Sequence, residues 1–165
     1  MILEDGRGPD LRAANGQTWR CVCDTVMGGV STGQLRRDDD GLHLTGTVRL
    51  ENNGGFVQMA LPLGPEGAVL DASGYDGLRL RLRGNDAGYN LHLRSADMTA
   101  VWQSWRAQFH AASVWQQITL PFAQFQPHRT ALGFDPARLT RLGIVAIGRE
   151  MVVDLHLARL ELLRL

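Results

Sequence analysis

The sequence predicts an all-β protein, an antiparallel β-sandwich, and three observations predict it. Leu78, Leu80 and Leu82 alternate with Arg79, Arg81 and Arg83. The same period of two returns in Leu91 and Leu93 against Asn90, His92 and Arg94, and again in Trp105, Ala107 and Phe109 against Arg106, Gln108 and His110. A period of two turns one face of a strand to the core and the other to water. The remaining apolar runs are short, are separated by Gly, Pro, Asn and Asp, and nowhere sustain a helical period.

The elements follow in order. Residues 1–18, rich in Gly, Asp, Arg and Pro, read as an N-terminal arm with at most one weak strand, and 19–165 as a single sandwich domain. Trp19 to Cys23 is strand-like, with Cys21 and Cys23 on one face of it and Trp19 in the core. Asp38-Asp39-Asp40-Gly41 reads as a solvated hairpin tip. Leu42, Leu44 and 47–50 flank Gly46, which suggests a strand with a bulge. Phe56 to Leu61 is a strand stopped by Pro62 and the Gly64-Pro65 turn signal. Residues 70–77 form a loop, followed by the alternating strands 78–83, 89–94 and 105–110. Leu78, Leu80, Leu82, Leu91, Leu93, Trp105 and Phe109 are expected inside. Trp115 to Leu120 is a further strand with Trp115 in phase with the core, and 122–125 a short helical turn. Segments 142–147 and 155–163 supply the last strands. The second carries so many leucines that a helix competes with the strand reading there.

Composition narrows the chemistry. At 165 residues the chain is long enough for a real core. Its 17 basic and 17 acidic residues cancel, which leaves no global field for nucleic acid or an anionic membrane. Every basic residue is arginine, so lysine Schiff bases and a P-loop lysine are excluded. No apolar run reaches membrane length and no targeting segment is visible, so a cytoplasmic protein without direct membrane insertion is expected. The string Gly29-Val30-Ser31-Thr32-Gly33 matches a nucleophile-elbow pattern, but it precedes a strand where that chemistry needs a helix. Three adjacent aspartates cannot all face one calcium ion, and His92 with His110 is a weak metal pair. No catalytic residues, cofactor or metal are assigned.

Two segments carry most of the information. Asp24-Thr25-Val26-Met27-Gly28-Gly29-Val30-Ser31 and Glu51-Asn52-Asn53-Gly54-Gly55-Phe56 each set a glycine pair beside polar side chains at the edge of an apolar run. Asp24 can accept from turn amides, Asn52 and Asn53 tolerate unusual backbone, and Met27 offers an adaptable apolar contact near the tip. Asp24, Gly28, Gly29 and Ser31 are therefore expected beside Asn52, Asn53, Gly54 and Gly55. They either brace each other or form, with Met27, a joint docking surface for a partner protein. Arg81, Asn90, His92, Arg94, Arg106 and Gln108, with Trp102 in a neighbouring loop, form the alternative candidate, an arginine-lined sheet face suited to carbohydrate hydroxyls if it is concave.

These two segments, with Tyr75-Asp76-Gly77-Leu78, the Arg83-Gly84 turn, Tyr89 and Trp115 to Phe125, resemble the complex I intermediate-associated protein family from Trp19 onward. The resemblance implies a galactose-binding-like jelly roll and a non-enzymatic role as an assembly factor or chaperone. The implied partner is a protein subunit or assembly intermediate of a respiratory, complex I-like membrane complex. Carbohydrate binding on the arginine-lined face is the alternative.

Overall fold

Twelve strands pack face to face as two antiparallel sheets in the computed structural model, which describes residues 1–165. The first sheet holds β3 (Thr32–Asp38), β4 (Gly41–Val48), β12 (Met151–Leu163), β6 (Gly77–Arg83) and β9 (Gln116–Pro121) in that order, and β1 (Ile2–Glu4) joins it by pairing with β12. The second runs β10 (Gln126–His128), β8 (Ser104–Ala111), β7 (Ala87–Ser95), β11 (Leu139–Ile147), β5 (Phe56–Pro62) and β2 (Arg20–Cys23). No helix is long and apolar enough to cross a membrane.

Alternation places the core. Leu78, Leu80, Leu82, Leu91 and Leu93 are buried between the sheets, with Phe109 beside them and Trp105 at the rim against Phe134. Burial of each such side chain stabilises the fold by about 1.5–3 kcal/mol. Trp19 is fully buried, and Cys21 and Cys23 are free thiols turned toward the core from one side of β2. Burial, then the neighbouring Cys23 thiol, pushes the pKa of Cys21 up to about 12, which leaves it unreactive at neutral pH.

The leucine-rich C-terminal segment is a strand. Its register shifts between Leu157 and Arg159, so Leu155 and Leu157 face the core before the irregularity and Leu160 and Leu162 after it. A bulge inserts one residue and resets the two-residue phase, which is why the spacing resembled a helix.

Three expectations are corrected. The N-terminal segment is part of the sandwich, because β1 pairs with β12 and Leu3 and Ala13 join the core. Trp115 lies on the outer face of the first sheet, where the guanidinium groups of Arg81 and Arg83 sit 5.3 and 5.2 Å from its ring. The arginine stripe is not one face. After β6 the chain crosses to the other sheet at residues 84–86, so Arg79, Arg81 and Arg83 lie on one side of the molecule. Asn90, His92, Arg94, Arg106, Gln108 and His110 lie on the opposite one.

Candidate functional site

The two glycine-pair segments meet. Asp24 opens a single 3₁₀ turn (Asp24–Met27) after β2, and Glu51–Asn53 forms a matching turn before β5. The Asp24 carboxylate is fully buried and accepts four hydrogen bonds: from the Ser31 amide (3.0 Å), the Ser31 hydroxyl (2.5 Å), the Gly55 amide (2.6 Å) and the Phe56 amide (3.2 Å). Ser31 Oγ in turn accepts from the Arg49 amide at 2.8 Å, and Asn52 donates to the Gly28 carbonyl at 3.2 Å. Burial raises the carboxyl pKa, but these donors outweigh it and hold Asp24 below the usual aspartate range.

The glycines serve this carboxylate in two ways. Gly28 takes a left-handed conformation (φ +85°) to end the turn. Gly29 does not; there the reason is space, since a Cβ would run into the Asp24 carboxylate. Gly54 is alike, with Asp24 Oδ2 2.7 Å from where its Cβ would stand. Asn52 and Asn53 both adopt φ of +59°, the conformation Asn tolerates best among larger residues. Ser31, already bonded on both sides and followed by β3, has no place in a strand-to-helix elbow.

The corner presents four aliphatic side chains to solvent. Val26 is 73% exposed, Met27 63%, Leu50 44% and Val30 43%. Asp24 and Ser31 turn inward, while Thr25, Glu51, Asn52 and Asn53 stand exposed beside these aliphatic side chains.

The outer face of the second sheet carries the alternative residues. Asn90, His92 and Arg94 of β7 stand beside Gln108 and Arg106 of β8, with His92 opposite Arg106 and Asn90 opposite Gln108. Trp102 is 60% exposed in the loop before β8, and Arg94 pins that loop by donating to the carbonyls of Ala100 (2.8 Å) and Gln103 (2.6 Å). Arg81, expected with this group, is on the other sheet.

Burial, with the charges of His128 and Arg106, pushes the His92 pKa from 6.5 down to about 4. A lowered folded value means that the unfolded chain takes the proton first as pH falls. Stability from this group is complete above about pH 6.5 and is lost as pH drops toward 4. Melting temperature is therefore expected to fall between pH 7 and 4.5. His92→Gln should flatten part of that slope, the remainder belonging to His128 and His156, whose pKa values burial also lowers. An identical slope in the variant would remove His92 from this role.

A third cluster escaped the sequence reading. His43 on β4 and His156 on β12 are cross-strand partners with rings stacked at 3.7 Å. Asp154 lies 2.7 Å from His43 Nε2, and Asp38 lies 3.3 Å from His156 Nε2. Asp38, His43 and His156 have ligand atoms close enough for one metal ion, but Arg36 stands 3.4 Å from His43 Nδ1 and Arg83 is opposite His156, so cations already crowd the site. The β3–β4 hairpin sets Asp38 beside His43, and only the long-range pairing of β12 with β4 brings His156 and Asp154 to them.

Comparisons with known proteins agree with this architecture. The sequence model of the family described as "Complex I intermediate-associated protein 30 (CIA30)" matches residues 10–156. No curated protein matches the chain in sequence at a significant level. Among solved structures, the family 11 carbohydrate-binding module from Clostridium thermocellum, solved with a β-1,3-1,4-mixed-linked tetrasaccharide, superposes with a TM-score of 0.68. It is 13% identical over 99% of this chain and 94% of its own. The family 30 carbohydrate-binding module of the cellulosomal cellulase Cel9D-Cel44B of C. thermocellum gives 0.62 at 14% identity, over 98% and 97% of the two chains. At such identities the likeness establishes the fold, an antiparallel jelly-roll sandwich.

Proposed function

The chain belongs to the complex I intermediate-associated protein 30 family, and from that premise we propose that it is a non-catalytic assembly factor. It docks a protein subunit or assembly intermediate of a respiratory, complex I-like membrane complex. Contact is made by the corner of Asp24, Met27, Gly28, Gly29, Ser31, Asn52, Asn53, Gly54 and Gly55. The observation that carries this reading is the exposure of Val26, Met27, Val30 and Leu50 on a backbone held by a buried carboxylate. Apolar side chains presented on a rigid support favour a protein contact over solvent. Asp24, Gly29 and Gly54 shape the surface from beneath, and Met27 touches the partner.

Affinity capture with the tagged protein should recover a membrane-complex subunit. Met27→Asp should reduce recovery about tenfold or more, because a charge is desolvated in the contact. Met27 is exposed, so the melting temperature should not move. Equal recovery by wild type and variant would sink the docking role.

Carbohydrate binding on the second sheet is the alternative, favoured by the row of Asn90, His92, Arg94, Arg106 and Gln108 with Trp102 nearby. A glycan array that is positive for wild type and blank for Arg106→Ala supports it.

A further inference from the structure

The outer face of the second sheet differs from the first in how its arginines are matched. On the first sheet Arg83 pairs with Asp40 at 3.3 Å and Arg79 with Glu161 at 3.8 Å. On the second, Arg20, Arg94, Arg106 and Arg141 make no ion pair at all. Strand register gathers them. Arg141 on β11 is opposite Arg94 on β7. One row further along, Arg106, His92, Gly143, Ala60 and Arg20 run consecutively across β8, β7, β11, β5 and β2. The Gln58 side chain lies over Gly143, so the open part of the row is the end at Ala60 and Arg20.

The Ala60 end of the row is a groove and not a flat face. Ala60 points away from the core and lines it, yet is only 2% exposed. At one end a cavity of about 630 Å³ is lined by Arg20, Arg94, Arg141, Thr18 and Thr140, with walls from Gly16 and Gly67. This volume is in the range of small-molecule sites, about 300–1,000 Å³. Glu66 is the one carboxylate lining it; it is exposed and pairs with none of the arginines. The Arg141 guanidinium is half-buried and forms no hydrogen bond, and His92 Nε2 is buried without a partner. Burial and mutual repulsion lower the pKa of Arg94 and Arg141, the mark of cations held together without neutralisation.

We propose that this groove binds a small polyanion through carboxylate or phosphate oxygens. Arg141 and Arg20 supply the forked contacts and Arg94 the inner wall. Guanidinium groups recognise both oxyanions in the same bidentate way. A neutral glycan would leave the charges unmatched, and this is what separates the inference from the carbohydrate reading. It is also independent of the docking corner, since no residue is shared.

The test is calorimetric titration of the full chain with inorganic pyrophosphate and, separately, citrate, at low and at 150 mM salt. A neutral mixed-linkage β-glucan tetrasaccharide is titrated in parallel. At least one anion should bind, more weakly at the higher salt, and the stronger of the two identifies the oxyanion. Arg141→Gln should weaken it about tenfold or more, the scale of one charge-assisted contact. Arg36→Gln on the other sheet should not. Arg141 bonds to nothing in the fold, so this variant should melt like wild type. Absence of binding by both anions would overturn the proposal. So would anion binding that Arg141→Gln leaves intact, or binding of the tetrasaccharide alone. Neither result bears on recovery of a protein by the Met27 corner.

Discussion

Asp24→Ala is expected to destabilise the protein by about 3–5 kcal/mol, enough to unfold a marginal domain. The carboxylate is fully buried; of its four donors only the Ser31 hydroxyl has another acceptor in reach, the Arg49 carbonyl at 3.1 Å. Truncation orphans the amides of Ser31, Gly55 and Phe56 and frees both turns at once. Asp24→Asn keeps the shape but presents an NH₂ where an acceptor is needed, and should recover less than half the loss. Urea denaturation with an unchanged slope is the measurement. A shift below about 1 kcal/mol would show that the corner is not braced through this carboxylate. The sign with pH is opposite to that of a raised group. Asp24 has its folded pKa lowered, so its stabilisation is present above the unfolded value of 3.8 and disappears as pH falls below that through the folded one. If Asp24→Ala survives in a folded form, it should also lose partner recovery, because Met27 is then carried on a loose segment.

Glu4→Ala should cost a similar amount, about 3–5 kcal/mol, by breaking a buried pair from one side. Glu4 is fully buried and accepts from both terminal guanidinium nitrogens of Arg37 (2.8 and 3.2 Å), from Trp19 Nε1 at 3.0 Å and from the Gly6 amide at 2.7 Å. Arg37 also donates to the carbonyls of Asp10 (2.6 Å) and Arg12 (2.8 Å), so one ion pair fastens the N-terminal segment to β3 and to the core tryptophan. With Glu4 gone, Arg37 is a charge at 9% exposure without a counter-ion. Limited proteolysis at Arg7 and Arg12 should accelerate along with the loss of stability. The double replacement Glu4→Leu, Arg37→Met should regain much of the loss, since no uncompensated charge stays buried. Wild-type protease resistance in Glu4→Ala would mean that strand pairing of β1 alone holds the segment.

The resemblance of the two glycine-pair segments to one family, and their polar turn chemistry, were enough to place them together, and the structure brings them together through Asp24. Which way their side chains point was not legible. The aspartate and serine turn in and the valines and methionine out because one buried carboxylate satisfies amides from both turns. That arrangement depends on atoms 31 and 32 residues apart in the chain. Gly29 illustrates the same limit. A glycine pair reads as left-handed backbone, whereas Gly29 exists to make room for a side chain from elsewhere.

By itself the sequence determined that this is a two-faced β-protein and which residues of strands β6, β7 and β8 fill its interior, because alternation is a local property of an extended backbone. Only the tertiary structure decided which sheet each strand enters. β6 pairs with β12 and β9, whereas β7 pairs with β11 and β8, partners separated by up to about half the chain. That choice divides one apparent arginine stripe into a face where the cations are matched by aspartate, glutamate and Trp115 and a face where they are not. Alternation reports that a side chain leaves the core. Long-range strand pairing decides what it meets outside.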